Sequence, residues 1–434
     1  MFLYYLRLSA LSYRRNPVLS SLMVLAVAIG VGAYMVVYTL NYFMGGDPIP
    51  QKSSVLYHLQ IDSGNPDDTF EPPSQLTWLD ATALLNADNN YRQTASSKFN
   101  AVVEPEGDGA RPFSINGRGN FGDFFPMFDA HFLYGGGWDR GADEGNQQVI
   151  VLSRELNDRL FGGVNSVGQT VNLQGNRFEI TGVLDNWQPF PKFYDVNNGP
   201  FDSIEDAFVP WNLITSLPLS RGGNTNCWKA PVGTGLQAFL NSECVWIQYW
   251  IELPSTQDRE NYLDFLDNYT RQQQELGRLL RPVNNGLFNV NQWLVREEVL
   301  PQETQILAAL AAMLLAVCLL NTVGLLLSKF LGKSGEIGLR QALGAHKGSL
   351  FTQHLVEAGF IGLIGGLLGL GVAKLGLWGI EGLIGDLMTT DWMQLNPVLI
   401  TVTLLLSVGS TIVAGLYPIW RACNVNPAIH LKTQ

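Results

Sequence analysis

Between Arg15 and Asp47 the chain runs 31 residues, 16–46, without a charge. It does so again for 25 residues, 304–328, between Glu303 and Lys329, and for 29 residues, 392–420, between Asp391 and Arg421. A further apolar stretch, Phe351–Ala373, carries Glu357 as its sole charge. About 20 such residues cross the hydrocarbon core as a helix, and lipid offers an unpaired backbone no partner, so helices are what these stretches form. Four spans are expected, at 17–44, 302–328, 351–374 and 395–420. One precedes and three follow the long block 45–300. The expected fold class is therefore an α-helical membrane protein with four transmembrane helices and one large domain on a single side.

Mean hydropathy over the 434 residues is only +0.08, because the block between the spans is polar. Its charge is one-sided. Residues 45–300 hold 32 acidic and 17 basic side chains and the remainder 6 and 10, so the net charge of -11 arises in the block. An acidic domain repels phosphate, which argues against nucleic acid as a partner.

Basic residues set the orientation. Arg7, Arg14 and Arg15 precede the first span without an acid. Lys329, Lys333, Arg340 and Lys347 face Glu336 alone in the connection 329–350, and Arg421 and Lys432 lie in the tail 421–434. With four spans these segments share one side, which the positive-inside rule places in the cytoplasm. The large domain and the short loop 375–394, with Glu381, Asp386 and Asp391, then face outward. That places Cys227 and Cys244 in an oxidising compartment, where a disulfide is expected, whereas Cys318 falls in span two and Cys423 in the cytoplasmic part. A signal peptide would have an apolar region of about 7–15 residues. The run Val18–Met44 is longer and ends in Tyr38, Tyr42 and Phe43, which suit a membrane interface. Residues 1–16 read as an interfacial amphipathic helix, with Pro17 opening span one.

The outward domain reads as mixed α/β. Ser54–Ile61 and Ser96–Val103 are strand-like around a helical Ser74–Ala87. Val245–Leu253 and Gly286–Trp293 are strand-like around a polar helix, Thr256–Leu280. The two strand–helix–strand halves flank a piece rich in Gly, Asn, Phe and Pro, with short strands at Thr170–Leu173 and Arg177–Val183. A β-rich insertion at about 104–244 is the expectation.

The cytoplasmic connection carries its own pattern. Glu336 and Arg340 fall four apart on a helix and can pair, while Ile337, Leu339, Ala342 and Leu343 offer apolar surface and Gly344 a helix stop. A short helix of this kind suits a groove in a cytosolic partner; the bland alternative is a juxtamembrane loop holding anionic lipid. In the third span Gly362, Gly365, Gly366 and Gly369 permit close helix approach, expected against spans two and four. Glu357 lies towards the inner surface and Lys374 towards the outer one, which gives ion coupling little support. His58, His131, His346, His354 and His430 are scattered without metal-ligand spacing, and Asp67, Asp68, Asp143 and Glu144 read as solvated turns. No catalytic residue, metal or cofactor is assigned.

These motifs bring a resemblance. Glu336, Ile337, Gly338, Arg340, Ala342, Gly344 and Ala345 fit an E-I-G-x-R-x-A-x-G-A segment, and Gly415, Pro418, Arg421, Ala422, Pro427 and Leu431 fit a closing G-x-x-P-x-x-R-A-x-x-x-x-P-x-x-x-L. With the outward segment Val149–Leu184, they resemble the MacB/FtsX-type ABC transporter permease family. The resemblance implies that the outer domain splits into a porter-like α/β part and the β-rich insertion. It implies a location in the bacterial inner membrane with the domain in the periplasm, in contact with membrane lipid. It also implies cytosolic ABC ATPase subunits, a second permease copy or paralogue, a periplasmic adaptor and an outer-membrane channel. Residues 336–344, including Leu339 and Leu343, become the ATPase-coupling segment. Gly332-Lys333-Ser334 ends like a phosphate-binding loop, but the leading glycine is replaced by Leu327, so ATP hydrolysis is expected in a partner. The implied function is mechanotransmission: ATPase motion moves the outer domain and expels an antibiotic, a peptide or another small amphipathic molecule. Alternatives within the resemblance are lipoprotein release and regulation of a cell-wall hydrolase.

Overall fold

Apolar composition without a polar face drives the long helices. In the computed structural model, which describes residues 2–87, 90–105, 111–384 and 397–424, four helices are long and apolar enough to cross a membrane. They cover Pro17–Met44, Glu303–Leu331, Lys347–Ile380 and Pro397–Cys423. The chain divides into two units, Met1–Met44 with Leu300–Gln434, and Gly45–Val299.

In the first unit a helix over Phe2–Arg15 precedes the first span, which begins at Pro17. Proline is tolerated there because the first-turn N–H has no helical acceptor. The helix of span three is longer than its apolar core. It runs Lys347–Ile384, so the expected loop 375–394 starts as helix. A lysine such as Lys374 limits a span but favours a helix, which is why charge alone placed the end too early. The rest of that loop, including Asp386 and Asp391, lies outside the described residues, as do Pro427, His430, Leu431 and Lys432.

The second unit is built on one sheet. Among the described residues its path runs Gly286–Asn289, Leu56–Gln60, Cys244–Glu252, Gln93–Glu104, Phe113–Asn120, Ala207–Pro210, Val149–Leu152, Asn176–Leu184 and Phe132–Gly135. The two strand–helix–strand halves, far apart in sequence, thus supply neighbouring strands. The β-rich piece at 104–244 forms no sheet of its own. Its strand Phe113–Asn120 pairs along Gln93–Glu104, and Thr170–Leu173 pairs with the end of that strand. A 12-residue strand has enough backbone to serve both halves. Buried residues alternate between two cores. Ile150 and Leu152 join one, Val149 and Val151 the other, as the period of two requires of a sheet covered on both faces.

Two local expectations need correction. The strand at 286–293 stops at Asn289, and Val290–Arg296 is helical. Asn289 accepts from the Gln292 N–H at 2.9 Å, and Gln292 returns a bond to the Asn289 N–H at 3.1 Å. This reciprocal cap stabilises a helix start and buries Trp293 against His58, with ring centroids 3.6 Å apart. Asp143 is not a solvated turn but is buried, accepting from Gly122 N and Trp138 Nε1 at 2.8 Å each.

The expected disulfide is present. Cys227 and Cys244 lie directly opposite on paired strands and are bonded. In the sheet, buried Arg118 is paired with Asp195 and with Glu205 at 2.7 Å, and Tyr194 donates to Glu205 at 2.9 Å. Burial pushes the Glu205 pKa up, but Arg118 and Lys192 outweigh it and hold the carboxyl well below its usual range. This cluster fastens 192–205 to the centre of the sheet.

Candidate functional site

The connection between spans two and three forms the helix Ser334–Ala342. Arg340 and Glu336 pair at 2.5 Å across one turn. The helix stops at Gly344, whose φ of +95° is left-handed, and the Ala345 N–H reaches back to Arg340 O at 2.9 Å. Gln341 Nε2 donates to Cys423 O at 3.1 Å, tying this helix to the end of the fourth span.

The apolar face read from the sequence is divided between two environments. Ile337 is only 4% exposed and sits in a cluster with Phe330, Leu350 and Ile419, so it holds the helix down rather than meeting a partner. Gly338 is buried beside it. Leu339 and Leu343 are 52% and 80% exposed, four residues apart on the outward side, with Ala342 and Gly344 also exposed. Periodicity identifies both sides of such a helix; what covers one of them is decided by the spans.

Beneath the helix lies a buried polar cluster that the sequence did not reveal. Lys329, near the end of span two, meets Glu357 of span three at 2.8 Å and Ser20 of span one at 3.1 Å. Glu357 also accepts from Ser12 of the first helix and contacts His354 Nδ1 at 3.2 Å. Lys333 reaches Ser12 Oγ at 2.7 Å. Lys329 and Glu357 are 4% exposed each. In a low-dielectric setting a paired, hydrogen-bonded ion pair is tolerated where a lone charge is not. The sequence offered only that Lys329 ends one apolar stretch while Glu357 lies within another.

The glycines of span three face two neighbours, spans one and four. A Cβ on Gly362 would overlap Thr411 Oγ1, and one on Gly366 would lie 2.9 Å from Ser407 Cβ. Ser407 Oγ donates to Gly362 O at 2.6 Å. On the other side, a Cβ on Gly365 would lie 2.7 Å from Val27 Cγ1, and one on Gly369 3.3 Å from Ala28 O. Span two was expected in the place that span one occupies; four-residue spacing marks a close-packing stripe but does not name the partner.

Two family models match this arrangement. The FtsX-like permease C-terminal model matches residues 308–427, and the MacB-like periplasmic core domain model matches residues 20–261, more than half of the chain. The chain belongs to the MacB/FtsX-type permease family. It is accordingly an ABC transporter permease of the membrane with a MacB-like extracytoplasmic domain. It is 22% identical to the "Uncharacterized ABC transporter permease YknZ" of Bacillus subtilis, over 98% of each chain. It is 25% identical to the "Macrolide export ATP-binding/permease protein MacB" of Syntrophobacter fumaroxidans, over 66% of this chain and 42% of that one. A "Pyoverdine export ATP-binding/permease protein PvdT" of Pseudomonas fluorescens is 22% identical over 96% of this chain and 58% of its own length. The chain thus spans about half the length of the ATP-binding/permease relatives. The crystal structure of the periplasmic region of MacB from Actinobacillus actinomycetemcomitans aligns with 58% of this chain and 95% of its own, at 13% identity. Its TM-score of 0.36 is too low to bear on the comparison.

Proposed function

We propose that this chain is the permease subunit of an ATP-driven MacB-like export system in the bacterial inner membrane. Cytosolic ABC ATPase subunits, two per pair of permeases, hydrolyse ATP and dock on the Ser334–Ala342 helix. Their motion passes through the spans to the periplasmic domain, which expels a small amphipathic substrate, such as an antibiotic or a peptide, through a periplasmic adaptor and an outer-membrane channel. The pair is completed by a second copy or a paralogue.

The observation that carries this reading is the exposed Leu339–Leu343 ridge on a helix whose inner face is locked by Ile337. A force on the ridge cannot be absorbed by the helix rolling, because Ile337 and Gln341 hold it to the spans. It therefore passes to the spans. The Gly332-Lys333-Ser334 segment supports a separate ATPase: Lys333 is engaged with Ser12 at 2.7 Å and Leu327 stands where a phosphate loop needs glycine. The test is ATP turnover by the purified chain in lipid nanodiscs, freed of copurifying proteins. No hydrolysis is expected, and turnover by the chain alone would overturn the assignment.

A further inference from the structure

A cavity of about 340 Å³ lies between the Phe2–Arg15 helix, the coupling helix and the start of the third span. The Phe2–Arg15 helix supplies apolar Leu8 and Leu11 next to basic Arg14 and Arg15, and Lys333 and Arg340 line the cavity from the connection. The two carboxylates that also line it are already engaged. Glu336 pairs with Arg340 at 2.5 Å, and Glu357 with Lys329 at 2.8 Å. Arg14 and Arg15 are exposed, and among the described residues neither has an ion-pair or hydrogen-bond partner. Burial lowers the Lys333 pKa, and the Lys329 and Arg15 charges push the same way despite Glu357 and Glu336. With four basic side chains against two carboxylates that are already paired, the lining keeps an excess of positive charge that an anion would balance.

Leu8 and Leu11 narrow the choice of anion. Leu11 is 51% exposed beside the guanidinium groups, and Arg15 lies two residues before Pro17, where the first span begins. That is the level at which a span meets headgroups. A soluble anion needs only the cations; an amphiphile with an anionic head also uses Leu8 and Leu11. We propose that this cavity binds an anionic phospholipid of the cytoplasmic leaflet. Arg14 and Arg15 hold its phosphate, for which planar guanidinium groups are suited, and the first acyl carbons lie along Leu8 and Leu11. Bound there, the lipid bridges the interfacial helix to the Ser334–Ala342 helix. The inference rests on the membrane topology and stands apart from the export reading.

The test is native mass spectrometry of the purified full chain with dihexanoyl-phosphatidylglycerol, dihexanoyl-phosphatidylcholine or inorganic phosphate. Wild type should retain phosphatidylglycerol at least about tenfold better than phosphatidylcholine, whose choline cation meets the basic lining of Arg14, Arg15, Lys333 and Arg340. Arg14→Gln/Arg15→Gln should lose that preference, each single variant should lose part of it, and Lys347→Gln, on the same side but outside the cavity, should keep it. Because Arg14 and Arg15 are exposed and unpaired, the double variant should keep the wild-type thermal transition in phosphatidylcholine. Equal retention of the two lipids by wild type would overturn the proposal, and so would a double variant that keeps the preference. Loss of the preference in Lys347→Gln would reduce it to general surface charge. Displacement of the lipid by an equal concentration of inorganic phosphate would reassign the site to a soluble anion.

Discussion

Replacing Leu343 by Asp separates docking from folding. Leu343 is 80% exposed, so the change removes almost nothing from the permease's own core and should cost under about 0.5 kcal/mol of its stability. Burying a leucine fully is worth about 1.5–3 kcal/mol. Four-fifths of that, the share Leu343 still has to bury, is about 1.2–2.4 kcal/mol, and 1.4 kcal/mol is tenfold in affinity. The ATPase should therefore bind about 7- to 50-fold more weakly, and a buried carboxylate in the groove adds to the loss. Ile337→Ala is the internal contrast. Ile337 is buried, so truncation should cost about 2–5 kcal/mol of membrane-unit stability. The assay is affinity of the permease in nanodiscs for the ATPase that copurifies with wild type, alongside thermal unfolding of each variant. A Leu343→Asp permease that binds its ATPase with wild-type affinity would refute the outward ridge as the docking surface.

Three further outcomes are expected. Glu357→Gln leaves Lys329 buried without its counter-charge and should cost about 3–5 kcal/mol, whereas Lys329→Met with Glu357→Leu should recover most of it; thermal unfolding in detergent measures both, and an unchanged single variant would contradict the pair. Cys244→Ser opens the 17-residue loop closed by Cys227 and should cost about 3 kcal/mol in the outer domain; equal unfolding midpoints with and without the bridge would count against it. Burial raises the Asp143 pKa from 3.8 to about 7 despite its bonds from Gly122 and Trp138. The folded state then keeps a proton that the unfolded state releases, so this residue erodes stability as pH rises from about 4 to about 7. Asp143→Asn should gain on wild type by up to about 1.4 kcal/mol per pH unit across that window; the same stability difference at both ends would show that Asp143 titrates normally.

What the sequence disclosed follows from how costly each feature is to misplace. Charges are expelled from lipid, so the gaps between Arg15 and Asp47, or Glu303 and Lys329, announce spans. The Arg340–Glu336 pair is legible because helical periodicity makes neighbours of residues four apart. Cys227 and Cys244 were legible through their compartment. Contacts between separate helices were not. Lys329 and Glu357 meet only after spans two and three have packed on spans one and four, and nothing in their spacing encodes the approach. The same applies to Ile337, whose burial depends on Phe330, Leu350 and Ile419 from three other helices. In the outer domain the strand at Gln93–Glu104 was recognised, but not that most strands of the β-rich piece would build out from it. Strand order is set by non-local pairing, which local patterning does not contain.

The central claim is that ATPase action at the coupling helix reaches the outer domain. Hydrogen exchange of the permease–ATPase complex in nanodiscs, with and without ATP, tests it most directly. The account predicts an ATP-dependent change in exchange within 45–299 for the wild type, abolished in Leu343→Asp while the variant's own fold is kept. Outer-domain exchange identical with and without ATP, in a complex that hydrolyses it, would contradict the account.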